Sequence, residues 1–259
     1  MNILVLLKHV PDTETRIRIG AGGAAIDESG VTFVISPYDE FAVEEAIKLK
    51  EARGGSVTAM TAGPERAAGG LRTALAMGAD AAVHIRDERL DGADALTVAR
   101  VLAAAAKGGG WDLILAGKQG VGADNGAVGA MLAELLDLPQ VTAVSRLEIG
   151  EGRLTAHREI EGAVEVVEAP LPAVVTCDKG LNEPRYPSLK GIMAAKKKPL
   201  ETKDLAAVGV AWPEGAAAPA RWSALALPPP RKEGRIFTSD PAGSGREVVR
   251  LLREEAKVI

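Results

Sequence analysis

The sequence predicts an α/β fold: a doubly wound, mainly parallel sheet with an antiparallel β extension and a C-terminal arm. Three observations predict it. Short apolar runs alternate with helix-period stripes from Asn2 to about Leu136, the pattern of a parallel sheet covered on both faces by right-handed crossovers. Between Thr142 and Thr176 four β-like runs follow one another with no helix between them. Beyond Pro199 regular periodicity fades and prolines accumulate.

Asn2 to Leu7 is an apolar run bounded by Lys8 and Pro11, which fits a buried strand emerging at the sheet's carboxyl edge. Thr15 to Ile19 and Val31 to Ile35 flank the glycines Gly20, Gly22 and Gly23, so a hairpin excursion is expected. The GAGGAA stretch lacks the third glycine of a dinucleotide fingerprint and no helix follows it, which leaves a turn. Asp39 to Arg53 is a helix. Val43, Ala46 and Ile47 form its stripe with the stem of Lys50, and Glu44 stands four residues before Lys48 on the polar side. Ser56–Thr61, Ala81–Ile85 and Leu113–Ala116 are strands, and Glu65–Met77 and Asp94–Lys107 are helices. In the second of these helices Val98, Val101, Leu102 and Ala105 make one face, and the glycines at 108 to 110 end it. Val128, Met131, Leu132, Leu135 and Leu136 recur at helical spacing, so a further helix begins near Ala127.

Thr142–Ile149, Arg153–Glu159, Ala163–Glu168 and Ala173–Thr176 are expected as an antiparallel meander. Residues 1–200 then form the α/β domain. Residues 201–259 form an extended arm containing Pro213, Pro219 and Pro228 to Pro230, in which Trp212 and Trp222 call for a partner surface. A last helix is placed from Arg246, with Ser244 and Glu247 at capping-box spacing and Val248, Leu251 and Leu252 on one face.

Composition excludes several classes. A chain of 259 residues with 47% hydrophobic content can bury a core. A net charge of −4 and 3% aromatic residues argue against a nucleic-acid surface. Cys177 is the single cysteine, so no internal disulfide can form, and His9, His84 and His157 lack metal-helix spacing. The N-terminal apolar run is too short for a signal peptide and nothing reaches the length of a membrane span, so a cytoplasmic protein is expected.

The strongest candidate ligand site is the glycine-rich loop from Gly117 to Gly129. It lies between a strand and a helix, where unpaired N–H groups can face an anion. It lacks the GK[ST] frame of a Walker loop, so phosphate binding without hydrolysis fits better, with an ordinary βα turn as the alternative. No nucleophile–base pair can be placed. Glu159 and Glu161 are two apart, yet beside Arg158 they read as a solvated edge. The chain therefore looks like a carrier or scaffold.

Thr176 to Pro199 reads as a strand, a proline-broken loop and a short helix in which Leu189, Ile192 and Met193 share a face before Lys196, Lys197 and Lys198. The run LNEPRYPSLKGIMAAKKKP is similar to the recognition-loop segment of electron transfer flavoprotein beta subunits. KHVPDT at Lys8, PYDEFAVEEA at Pro37 and RTALAMGAD at Arg72 also resemble that family, in order, over roughly residues 1 to 200. The resemblance implies a HUP-like, adenine-nucleotide-binding domain that holds AMP. The matching residues are Leu6, Ser36, Pro37, Tyr38, Asp39, Ala62, and the loop Gly117, Lys118, Gln119, Gly120, Val121, Gly122, Ala123, Asp124, Asn125, Gly126, Ala127 and Val128. In that loop relatives carry two or three acidic residues, whereas here only Asp124 remains, and Ser36 stands where many have Asn.

The resemblance further implies a heterodimer with an alpha subunit that mainly holds FAD, near which the turn ending at Thr13 forms part of a wall. It implies docking of acyl-CoA and related dehydrogenases of fatty-acid oxidation through Leu189 with Tyr186, Ile192 and Met193 in segment 181–198. Electrons then pass to the quinone pool. Two alternatives stay open: a bifurcating relative with a second FAD in the nucleotide site and NADH as donor, and a free-standing adenine-nucleotide-binding protein.

Overall fold

Backbone hydrogen bonding groups the predicted strands around the most apolar of them. In the computed structural model, which describes residues 1–212, 214, 220–231, 233–238 and 240–259, the first strand is β1 (Asn2–Leu6). There follow β2 (His9–Pro11), β3 (Phe33–Ile35), α1 (Pro37–Arg53), β4 (Ser56–Gly63), α2 (Ala68–Met77), β5 (Ala81–Arg86), α3 (Ala95–Ala106), β6 (Leu113–Gly117) and α4 (Val128–Leu136). Then come β7 (Gln140–Ile149), β8 (Arg153–Ile160), β9 (Ala163–Pro170), β10 (Ala173–Cys177), α5 (Leu189–Ala195), β11 (Leu200–Lys203) and α6 (Pro241–Leu251).

Nine strands form one sheet in the order β11-β5-β4-β1-β6-β10-β7-β8-β9. Pairing is parallel from β11 to β7 and antiparallel from β7 to β9. Alternate strand residues point to opposite faces. Ile3, Val5, Leu113, Leu115 and Val175 therefore pack with Val43, Ile47, Leu71 and Leu75 of α1 and α2. Leu4, Leu6, Ile114 and Val174 pack with Leu102, Ala103, Leu132 and Ala133 of α3 and α4. This is the doubly wound arrangement the alternating pattern predicts.

Several expectations are corrected. β10 is not the last strand of a meander. It lies between β6 and β7, parallel to both, because all five of its residues are buried, as in a central parallel strand rather than a half-exposed antiparallel one. The hairpin excursion pairs His9–Pro11 with Phe33–Ile35, and Thr15–Ile19 contributes one bridge, Ile19 to Ile26.

The sheet also continues past residue 200. β11 adds an edge strand beside β5, and Leu205 is buried with Ile85, Leu90 and Val101. A compact unit runs through Leu225, and a second comprises Ala226–Ile259. Trp212 packs on the first unit, with the Arg89 guanidinium 4.6 Å from its ring centroid, while Trp222 is exposed. Pro213 and Pro219, named for the extended arm, lie outside the described residues.

In the second unit α6 starts earlier than its sequence stripe. Pro241 occupies the first turn and Asp240 accepts the Gly243 N–H at 2.9 Å, while Glu247 pairs with Arg250 instead of capping. Among the described residues, no helix is long and apolar enough to cross a membrane.

Candidate functional site

β1 is the strand from which the chain leaves in one direction to β4 and β5, later returning on the other side as β6. The crevice beyond the carboxyl ends of β1 and β6 is thus the sheet's switch point, where ligands of such sheets sit. Asp39, in the first turn of α1, holds that point together. Its two carboxylate oxygens accept the Lys8 N–H at 2.7 Å and the Gly117 N–H at 2.8 Å. Burial pushes its pKa up to about 7, against the lowering effect of those two bonds and of the Lys8 charge. Gly117 has to be glycine, since a Cβ there would stand 2.7 Å from the Asp39 nitrogen and from the Tyr38 carbonyl carbon.

The loop leaves Gly117 and is tethered again by Ser36. That serine is fully buried, donates its N–H to the Lys8 carbonyl at 2.9 Å, and accepts the Val121 N–H on Oγ at 3.3 Å. Gly122, Asp124 and Gly126 take positive φ values of 93°, 49° and 60°, which turn the chain sharply before α4. The Gln119 amide closes the turn onto Asp124 Oδ1 at 3.0 Å.

Ala127 precedes α4 without a side-chain cap. Among the described residues, the N–H groups of Gly120, Gly122 and Ala123 and those opening α4 at Val128 and Gly129 find no acceptor. A helix start with free N–H groups suits an anion, so the donor set fits a phosphate. Lys8 adds a cation. Its stem lies against Gly120, and desolvation lowers its pKa, with Asp39 and Asp124 opposing.

The predicted site residues therefore divide. The loop, Ser36 to Asp39, Leu6 and Ala62 meet at one edge of the sheet, but Asp39 and Ser36 are structural ties with their oxygens already engaged. Lys118 is committed too: its ammonium is 2.9 Å from Asp178 and 4.9 Å from the centroid of the Tyr38 ring. Thr13 stands exposed in the turn after β2, outside this hydrogen-bonded cluster. Lys8 was absent from the sequence-predicted set. Its signal was its place as the first charged residue past the buried run of β1.

The second candidate surface follows β10. Asn182 donates from Nδ2 to the Phe41 carbonyl at 3.0 Å and to Glu45 at 2.9 Å. Arg185 forks onto Glu44, at 2.9 and 3.0 Å, and onto Glu51, at 2.6 and 2.9 Å. Glu44 is buried for this purpose and does not pair with Lys48 as its spacing predicts; Lys48 lies 3.7 Å from Glu45.

At the far end Lys198 donates to the Leu75 and Ala79 carbonyls, satisfying the C-terminus of α2. Gly191 lets α5 approach the Ala76 carbonyl closely. Ser188 caps α5 by accepting the Gly191 N–H at 3.0 Å. A segment fixed at both ends thus presents Tyr186, Leu189, Ile192 and Met193, which are 94%, 78%, 46% and 58% exposed. These are the residues for which the resemblance implies docking, and they lie in one short, strapped stretch.

Comparison with known proteins identifies the family of the chain. The family described as electron transfer flavoprotein domain matches residues 23–208. The chain is similar to the electron transfer flavoprotein subunit beta of Bacillus subtilis, at 46% identity over the whole of both chains. It is 40% identical to the subunit of that name from Mycobacterium tuberculosis, over 97% of each chain. With the one from Thermoanaerobacterium thermosaccharolyticum it shares 39% identity over 98% of this chain and 97% of the relative.

Proposed function

The chain belongs to the electron transfer flavoprotein family, as a beta subunit, and from that membership we propose how its two exposed features are used. The switch-point loop holds AMP. The free N–H groups at Gly120, Gly122 and the start of α4 take its phosphate, with Lys8 as the neighbouring cation. An alpha subunit completes a heterodimer and mainly holds the FAD, which supplies the redox chemistry when bound. This chain contributes the turn at Thr13 as part of a wall, and segment 181–198 as the landing surface for protein electron donors, acyl-CoA and related dehydrogenases. Electrons then leave towards the quinone pool.

The observation that carries this reading is the exposed patch of Tyr186, Leu189, Ile192 and Met193 on a segment strapped by Arg185 and Lys198. Large apolar side chains held out on a fixed backbone lose little freedom when a partner covers them. The loop favours AMP over a second flavin. Val121, Gly122 and Ala123 offer no side-chain hydrogen bonds to orient a redox ring, while backbone recognition of a phosphate is kept. Acid release of nucleotide from the purified heterodimer tests this: AMP and FAD are expected in equal amounts. Two FAD with no AMP, and rapid reduction by NADH, would establish the bifurcating alternative instead.

A further inference from the structure

The nucleotide loop and the docking segment share their supports. Lys118, second in the loop, donates its N–H to the Cys177 carbonyl at 2.9 Å and its ammonium to Asp178 at 2.9 Å, and Asp178 leads into the docking segment. Its N–H in turn reaches the Val144 carbonyl at 2.9 Å, which anchors that beginning on β7. Helix α1 joins the two a second time. Ser36 and Asp39 at its start tie Val121 and Gly117, while Glu44, Glu45 and Glu51 farther along hold Asn182 and Arg185. The ion pair is sheltered, with side chains 29% and 21% exposed, so salt screens it less than a surface pair.

We propose that occupancy of the loop sets the docking segment: an adenine nucleotide at Gly117–Val128 and a protein electron donor at the Leu189 patch bind with positive coupling, and Asp178 is the positioning residue that joins them. This rests on the nucleotide reading above. The loop reaches its turn through Gly122 and Gly126, and its exposed part is the turn itself, at Gly122 and at Asp124 to Gly126, between half-buried flanks. A phosphate gripping its N–H groups fixes the backbone that carries Lys118. Lys118 then holds Asp178 and the exposed Lys179 and Gly180, which lead into the straps at Asn182 and Arg185, in one place before a donor arrives. The ordering cost met by the first ligand is not met again by the second. Linkage makes the effect mutual, with each ligand tightening the other by the same factor. Had the phosphate instead drawn Lys118 away from Asp178, the coupling would carry the opposite sign.

The test uses the flavin-containing heterodimer, stripped of nucleotide and reloaded with AMP. Calorimetry first measures AMP binding; no binding overturns the nucleotide reading, and with it this proposal, before any coupling is examined. Hydrogen exchange then follows the amides of residues 180–198. AMP is expected to slow their exchange and to lower the dissociation constant for a dehydrogenase about fivefold or more, within the usual range of coupling.

In Asp178→Asn, which keeps an acceptor for the Lys179 N–H, AMP should still bind while both effects vanish. Asp178→Glu should restore them, and serves as the second variant if the first loses its flavin. AMP binding that leaves exchange at 180–198 unchanged in the unmutated heterodimer, or weakens donor binding, overturns the coupling. Persistence of both effects in Asp178→Asn overturns the role of Asp178.

Discussion

Leu189→Ala isolates the docking contribution from the fold. The side chain is 78% exposed, so its removal leaves almost no cavity, and the Ser188 cap and the strap at Arg185 are untouched. Fully burying a leucine is worth about 1.5–3 kcal/mol. Scaled by the fraction still open to burial, a donor covering Leu189 gains roughly 1.2–2.3 kcal/mol, or about sevenfold to fiftyfold in affinity at about 1.4 kcal/mol per decade. The assay is reduction of the heterodimer's flavin by an acyl-CoA dehydrogenase below saturation, where kcat/KM falls by that factor while the flavin spectrum and thermal midpoint stay unchanged. If kcat/KM is unaltered, the patch is not the landing surface. If the thermal midpoint drops as well, Leu189 is packed in a way its exposure contradicts.

Other perturbations test the supports. Arg185→Ala strips the buried Glu44 carboxylate of its partner and should lower the thermal midpoint, at a cost of about 1–3 kcal/mol given that Arg185 itself is half-buried, and speed exchange at residues 181–186. An unchanged midpoint would show that the fork adds nothing. For Asp39 the folded pKa of about 7 lies above the ordinary 3.8, so the folded state holds an extra proton between those values. The stability this group contributes is fully present below about pH 4 and is lost as pH rises through 7, so unfolding midpoints should fall over that window more steeply than in Asp39→Asn. Parallel pH profiles would refute it. Truncation after Leu225 should leave a folded nucleotide-binding unit that no longer retains the alpha subunit, whereas truncation after Pro199 removes β11 and Leu205 and should yield insoluble chain. A soluble product from the shorter cut would contradict the role given to the edge strand.

Local pattern was enough for most of the architecture. The helix at Val43, Ala46 and Ile47, the buried runs of β1 and β6, and the glycine-rich turn before α4 follow from periodicity and from backbone chemistry confined to a few neighbours. The exposed face of Leu189, Ile192 and Met193 was legible for the same reason, because residues three and four apart on a helix share a side.

What only the tertiary structure decided were relations between distant residues. Strand order is set by which buried run lies beside which, so β10 reads like the end of a meander until its pairing with β6 is known. β11, four residues of mixed polarity, is a strand because β5 offers it an open edge, and no local propensity announces that. Glu44 carries an i,i+4 signal towards Lys48, yet Arg185, 141 residues away in sequence, offers a bidentate partner that a flexible lysine on the helix surface cannot match. Only the family resemblance places Asp39 among the nucleotide-site positions. Folding surrounds it with the N–H groups of Lys8 and Gly117, 31 and 78 residues away, since an acidic group taken out of water must find donors wherever the chain brings them.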